Sequence, residues 1–395
     1  MLLSIAIIIL VSLLFQAVFK KFKLPGILGM LLAGILLGPY ILNVIDGQIL
    51  DISSDLREIA LIVILIRAGL SLDLQDLKKV GRPAILLSFL PATFEMIAIT
   101  IFAPMFFDIT YISALTLGTI IAAVSPAVVV PRMIKLMEQG YGKHAKVPQM
   151  ILAGSSIDDV YAIIIFYACV KYQQGESLNV MTFLNVPISI ILGILIGFVV
   201  GYGLVTLFKK MHMRDTIKVL IIFSIGFLLL SIENQLSHVI AFSGLLSVMA
   251  LSVSINKNYS ILAKRLVKKF EKIWVIAEIM LFVLVGALVN IKVLINVSVF
   301  AIILIFISLI FRMVAVYLAT SKAHLTIKER LFTAFSYTPK ATVQAAIGAI
   351  PLTLGLPYGE FILMVSVLSI IITAPLGAIL MDHTYQQLLT PIDTN

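Results

Sequence analysis

Apolar residues run along this chain in long blocks of about 20, each closed by a short polar joint. A helix of about 20 apolar residues crosses the hydrocarbon of a bilayer, so each block reads as a membrane span. The alternation predicts thirteen spans, at approximately 2–19, 25–44, 56–72, 83–107, 111–136, 148–172, 184–208, 216–232, 237–254, 273–290, 293–320, 331–353 and 358–381. No joint is long enough for a soluble domain, and no polar tail is expected after the last span. The predicted fold class is therefore an all-α polytopic membrane protein.

Composition agrees with the pattern. Only 12% of the 395 residues are charged, about half the share in a soluble domain, and 61% are hydrophobic. The first block lacks a positive stretch ahead of it and a small-residue cleavage site. Lys20, Lys21 and Lys23 follow it instead, so it reads as a span and not as a signal peptide. Cys169 is the one cysteine; it excludes an internal disulfide framework and reads as a small buried hydrophobe.

Charge gives the expected orientation. The six odd-numbered joints hold 23 of the 29 basic residues, most densely at Lys257, Lys264, Arg265, Lys268, Lys269 and Lys272. Lys78, Lys79, Lys143 and Lys146 are others in this set. The even joints hold only Arg57, Lys171 and Lys292. Positive loops stay in the cytoplasm, which predicts an outer N-terminus and an inner C-terminus. The net charge of +9 follows from this bias and from anionic lipid; it needs no nucleic acid.

An internal echo is also legible. Span 3 ends Ala68-Gly69-Leu70-Ser71-Leu72-Asp73-Leu74, and span 10 ends Val285-Gly286-Ala287-Leu288-Val289-Asn290-Ile291. Spans 1–6 would then repeat as 8–13, with span 7 as a linker. An odd offset inverts the second copy, an arrangement common in secondary transporters. The repeat pairs span 5 with span 12, and both carry proline breaks: Ser125-Pro126 and Pro131 in one, Thr338-Pro339-Lys340 in the other. A mid-membrane break exposes carbonyls, which is tolerable beside protein or a watery cavity. Two breaks in corresponding spans point to a binding site where they cross.

Charges at bilayer depth cost several kcal/mol and ask for a partner or a function. Asp158 and Asp159 lie about 15 Å into span 6, near the midplane. Adjacent helical residues diverge by about 100°, so one carboxylate can face a cavity while the other faces a neighbouring helix. Their hard oxygens are what a small alkali cation needs in place of water. Glu95 in span 4 and Arg312 in span 11 are expected to neutralise each other. Lys340, after the break in span 12, is placed to offset the negative ends of interrupted half-helices. Arg67 reads as a snorkelling residue, and Glu233, Glu278 and His238 as structural. No phosphate-binding glycine loop occurs, so no ATP is expected, and no histidine cluster suggests a metal cofactor.

At these residues the chain resembles the monovalent cation/proton antiporter superfamily, and most closely its NHA-type sodium/proton exchanger branch. The resemblance rests on Arg67-Ala68-Gly69-Leu70, Glu95, Ser125-Pro126-Ala127-Val128-Val129-Val130-Pro131 and Gly154-Ser155-Ser156-Ile157-Asp158-Asp159. Arg312 and Pro339-Lys340-Ala341-Thr342-Val343-Gln344-Ala345-Ala346 complete it. It implies a secondary transporter, not an enzyme, without cofactors, in the inner cell membrane and in pH homeostasis. It implies that Asp158 and Asp159, with Ser125 and Ser155 nearby, bind sodium or lithium in alternation with protons. It also implies a core domain in residues 83–172 and 293–395 that moves like an elevator against a scaffold. That scaffold, residues 1–82 and 173–292 including the linker span, would form a homodimer. One position departs from the pattern: many paired-aspartate bacterial relatives carry lysine where Arg312 stands, and arginine does not release a proton.

Two other functions fit the sequence less well. A potassium/proton antiporter or potassium efflux system usually ends in a soluble nucleotide-binding domain, which this sequence lacks. An intramembrane aspartyl protease needs its two aspartates on separate helices across the scissile bond, and Asp158 and Asp159 are neighbours on one.

Overall fold

A computed structural model describes residues 1–22, 24–71, 81–142, 146–175, 180–236 and 243–391. Lys23, Asp73, Lys78, Lys79, Lys143 and His238, all weighed above, lie outside the described residues. Every regular element among the described residues is helical. The first six are α1 (Leu2–Lys21), α2 (Gly26–Leu37), α3 (Gly47–Asp51), α4 (Ser53–Ser71), α5 (Arg82–Leu87) and α6 (Leu90–Phe106). They are followed by α7 (Tyr111–Ala122), α8 (Pro126–Glu138), α9 (Val147–Gln173), α10 (Val180–Lys210), α11 (Asp215–Leu236) and α12 (Gly244–Asn258). The last are α13 (Ser260–Ala287), α14 (Ile291–Ala319), α15 (Ile327–Ser336), α16 (Thr342–Ile347), α17 (Ile350–Thr353) and α18 (Gly359–Leu388). Eight stretches among the described residues are long and apolar enough to cross a membrane.

Two of the predicted boundaries that moved have a clear local reason. Span 2 stops at Leu37 because Gly38-Pro39 removes the next helical donor. Span 10 begins thirteen residues early, at Ser260, where a charged joint was expected. Leu262, Leu266, Phe270 and Trp274 recur every fourth residue and are buried, while Lys264, Lys268 and Lys272 stay exposed. The basic stretch is thus an amphipathic extension of the helix.

The helices cluster into two compact units. One holds Met1–Ser54, Gln75–Gln174 and Leu281–Asn395; the other holds Asp55–Leu74 and Gly175–Met280. In the second unit α10 and α12 pack along a ladder of small residues. A side chain on Gly193 would meet the Ser243 carbonyl at 2.7 Å, and Gly197 and Gly201 face the carbonyls of Ser247 and Leu251. The Ser247 hydroxyl donates to Gly193 O at 2.9 Å and Ser254 to Phe198 O at 3.0 Å. Close backbone approach through small residues is a common way to join helices in lipid.

Each unit also contains one half of a matched pair. In the second, a Cβ on Gly69 would lie 2.6 Å from the Met249 carbonyl, so span 3 packs on span 9. In the first, Gly286 abuts the Leu31 carbonyl, so span 10 packs on span 2. A seven-span offset converts one contact into the other.

The first unit contains the breaks. Helix α7 ends at Ala122, Ala123 and Ser125 are extended, and Pro126 starts α8 without needing a donor. Helix α15 begins in a capping box, with Thr326 accepting from Glu329 N at 3.2 Å and Glu329 accepting from Thr326 N at 2.9 Å. It ends at Ser336, and α16 resumes at Thr342. Ser125 N donates to Pro339 O at 2.8 Å, so the two interrupted backbones cross. The Pro339 ring is seated on Gly377 of α18, where a Cβ would collide with it.

Candidate ion site

A backbone crossing leaves carbonyls at the ends of α7 and α15 without intrahelical partners. Two side chains take them. Gln344 donates to Ile120 O and Ala123 O, each at 2.9 Å. Arg312 donates through Nη1 to Ala122 O and through Nε to Tyr337 O at 2.6 Å. Arg312 thus touches the last turn of both interrupted helices.

The same guanidinium meets two carboxylates. Nη1 lies 2.6 Å from Glu95 Oε2, and Nη2 lies 2.7 Å from Asp158 Oδ2. Four partners on four elements are possible because arginine presents five donors in a rigid fork. Lys340 Nζ completes the arrangement, 2.7 Å from Glu95 Oε2. Ser308 donates to the other glutamate oxygen at 3.2 Å, and Lys340 N donates to the Thr373 hydroxyl at 2.9 Å. Glu95, Asp158 and Lys340 are fully buried, and Arg312 is 1% exposed. The expected helix-end role of Lys340 is therefore filled by Arg312 and Gln344, while Lys340 itself holds Glu95.

The two aspartates differ sharply. Asp158 Oδ2 accepts from Arg312 and from Val124 N at 3.0 Å, inside the first break. Among the described residues its Oδ1 has no hydrogen-bond partner, and neither does Asp159 Oδ1. Asp159 is also the less enclosed, at 8% exposed against none for Asp158. Ser125 Oγ, Thr342 Oγ1, Gln344 Oε1 and Tyr337 Oη are further buried oxygens without partners. Unpaired oxygens are rare in a protein interior. Here they gather at the crossing, among three carboxylates and two cationic side chains.

The comparisons bear on these residues as a set. Residues 5–382 match the family described as sodium/hydrogen exchanger, transmembrane. This chain belongs to the sodium/hydrogen exchanger family. Among its curated relatives, sodium/hydrogen exchanger 9B1 of Homo sapiens is 35% identical, over 93% of this chain and 73% of the relative. Sodium/hydrogen exchanger 9B2 of Homo sapiens is 31% identical, over 94% and 71%. Of solved structures, the sodium proton antiporter MjNhaP1 from Methanocaldococcus jannaschii at pH 8 superposes with a TM-score of 0.82. That pair shares 19% identity over 96% of this chain and 97% of the other, a likeness of fold.

As a sodium/hydrogen exchanger the chain is a multi-pass membrane transporter of sodium and protons, and not an enzyme. The structure brings Asp158, Glu95, Arg312 and Lys340 into one bonded cluster. Pro126 starts α8, and Pro339 accepts from Ser125 N. Ser155 donates to Leu152 O of its own helix at 3.3 Å. Arg67 is half-buried in α4. Glu233 accepts from Gly244 N at 2.8 Å and caps α12. Sequence reasoning missed Tyr337, Gln344, Thr342 and Ser308. A glutamine and a threonine immediately after a proline break were the available signal for two of these.

Proposed function

We propose that this exchanger moves sodium, and lithium by the same route, by letting the cation and the proton compete for Asp158 and Asp159. The observation that carries the reading is the pair of buried Oδ1 atoms without partners. They stand beside an arginine that has already committed four of its five donors. With every group ionised, three carboxylates face Arg312 and Lys340, which leaves one negative charge to be neutralised by one sodium ion or one proton. Hard carboxylate and hydroxyl oxygens suit a small, hard cation. Ser125 supplies a neutral oxygen, with Ser155 one turn ahead of Asp159 on α9.

Asp158 meets the cation through the oxygen that Arg312 leaves free, and Asp159 through the less enclosed of the two carboxylates. Residues 83–172 and 293–395 carry the loaded site across the membrane in an elevator movement. Residues 1–82 and 173–292 form the scaffold and the contact of a homodimer, with the N-terminus outside the inner cell membrane and the C-terminus in the cytoplasm. Compactness within one state and movement between states are different quantities, so this division is defined by travel and not by packing.

The test is the sodium dependence of proton flux from purified protein in liposomes, measured across pH. Sodium needs the ionised carboxylate, so acid weakens its binding. One displaced proton raises the apparent sodium constant about tenfold per pH unit on the acid limb, and two raise it about a hundredfold. A single uncompensated charge favours the tenfold slope. A sodium constant that stays flat from about pH 8 to about pH 5, with transport still active, sinks the shared-site mechanism.

A further inference from the structure

Tyr337 stands out among the buried groups that the bonded cluster does not use. Buried tyrosines usually find a partner for the hydroxyl, because an unpaired phenol forfeits a hydrogen bond that water would have supplied. This one is fully buried, and its hydroxyl has no partner among the described residues. Filling space alone would be served by phenylalanine.

The ring is held on several sides. Its own carbonyl accepts from Arg312 Nε at 2.6 Å, and the guanidinium lies 5.5 Å from the ring centroid. The hydroxyl end rests on Gly154 of α9, where even a methyl group would collide with it. That same methyl would meet Leu87 Cβ at 2.8 Å, so the notch is closed on a second side. A rigid aromatic therefore delivers one polar atom to one spot on α9.

The spot decides the reading. Gly154 lies one helical turn before Asp158, on the same face, and helical side chains lean toward the N-terminus. The Asp158 carboxylate accordingly leans back over the patch that Tyr337 covers. The phenol is within electrostatic range of Asp158, Asp159 and Arg312. Among the described residues, Asp158 Oδ1 lacks a donor.

We propose that the Tyr337 hydroxyl is an additional ligand of the transported cation, with its lone pair on the ion. It is thereby a specificity-determining residue. A fixed oxygen on a pinned ring completes the shell of an ion that needs it. The smaller lithium ion fills its shell with fewer oxygens than sodium, so lithium depends on the tyrosine less. This inference rests on the proposed exchange at Asp158 and Asp159.

The experiment compares wild type with Tyr337→Phe in liposomes, using sodium chloride and lithium chloride as driving ions at one fixed pH. The expected result is a sodium KM raised about tenfold and a lithium KM raised about threefold, with maximal rates kept within about twofold. A purely structural role would scale both ions together. Gly154→Ala pushes the hydroxyl off its patch and is expected to reproduce the same unequal shift. It provides the reading should Tyr337→Phe fail to fold. Unchanged constants for both ions, or equal shifts for both, overturn the proposal. Wild-type protein without sodium-driven proton flux would instead sink the exchange reading on which the proposal stands.

Discussion

The two compact units hold their interiors together by different means. Where α10 packs on α12 in one unit, buried serine hydroxyls are matched: Ser247 donates to Gly193 O and Ser243 O, and Ser254 to Phe198 O. Glycines let the backbones close on one another. In the unit containing the crossing, charges do the joining, and several oxygens are left over: Asp158 Oδ1, Asp159 Oδ1 and Ser125 Oγ among them. A polar group that is fully satisfied adds adhesion and specifies geometry. One that is buried and unsatisfied costs free energy in every molecule that carries it. On the proposed reading, the contrast between matched and unmatched polar atoms at these two places separates what supports the fold from what is kept for the ion.

The sharpest way to break that contrast is to alter the unmatched carboxylate. Asp159→Asn keeps the shape and removes the charge. Sodium-coupled proton flux in liposomes is expected to fall to background. The thermal unfolding temperature is expected to hold or rise, because the charge removed had an unpartnered oxygen. Asp158→Asn differs, since its Oδ2 accepts from Arg312 and Val124 N. That change is expected to lower both flux and stability. Wild-type flux from the Asp159→Asn protein would disprove the site assignment.

Next in size is the charge cluster itself. Arg312→Ala removes a group with four partners on four elements, and breaking one side of a buried pair typically costs about 3–5 kcal/mol. Arg312→Lys recovers little, because an ammonium has three donors and no fork. Glu95→Ala strands Lys340 and leaves Arg312 with Asp158 as its remaining carboxylate. The double change Glu95→Ala/Arg312→Ala is expected to recover part of the summed loss in thermal or denaturant unfolding, and only part, since Lys340 stays unpaired. Strict additivity in that cycle would mean that the two residues do not couple.

The difference between the units also explains what was legible in the sequence. Asp158, Asp159, Glu95, Arg312 and Lys340 were conspicuous because charge at bilayer depth is expensive whatever surrounds it. The two breaks were conspicuous because proline removes a donor. Their partners were not conspicuous. Arg312 and Gln344 spend half or more of their bonds on main-chain carbonyls, and a carbonyl carries no residue-specific signature. Tyr337 in an apolar segment reads like any aromatic, and the clue to its placement is Gly154, on a different helix. The early start of α13 was missed for the opposite reason: its lysines were counted as charge, and the fourfold recurrence from Leu262 to Trp274 was overlooked. A composition rule hid a periodicity.

The smallest expected effects come from two hydroxyls, and they test the contrast most directly. Ser247 in the matched unit and Ser125 in the unmatched one are both fully buried serines, and Ser→Ala removes one oxygen from each. Ser247 bridges α12 to Gly193 on α10, so Ser247→Ala deletes a made hydrogen bond. Such bonds contribute about 0.5–1.5 kcal/mol, and the low end is usual between helices in membranes. A slightly lower unfolding temperature with an unchanged sodium KM is expected. Ser125 Oγ makes no hydrogen bond among the described residues, so Ser125→Ala deletes a polar atom that the fold only carries. Stability is expected to stay level or rise slightly. If the oxygen is kept for the cation, the sodium KM rises about threefold to tenfold, the equivalent of one neutral ligand. Unfolding curves and sodium titrations on the two variants then move in opposite pairs. Should Ser125→Ala cost stability while leaving sodium dependence untouched, an unpartnered oxygen at the crossing would no longer be evidence for a place in the ion's shell.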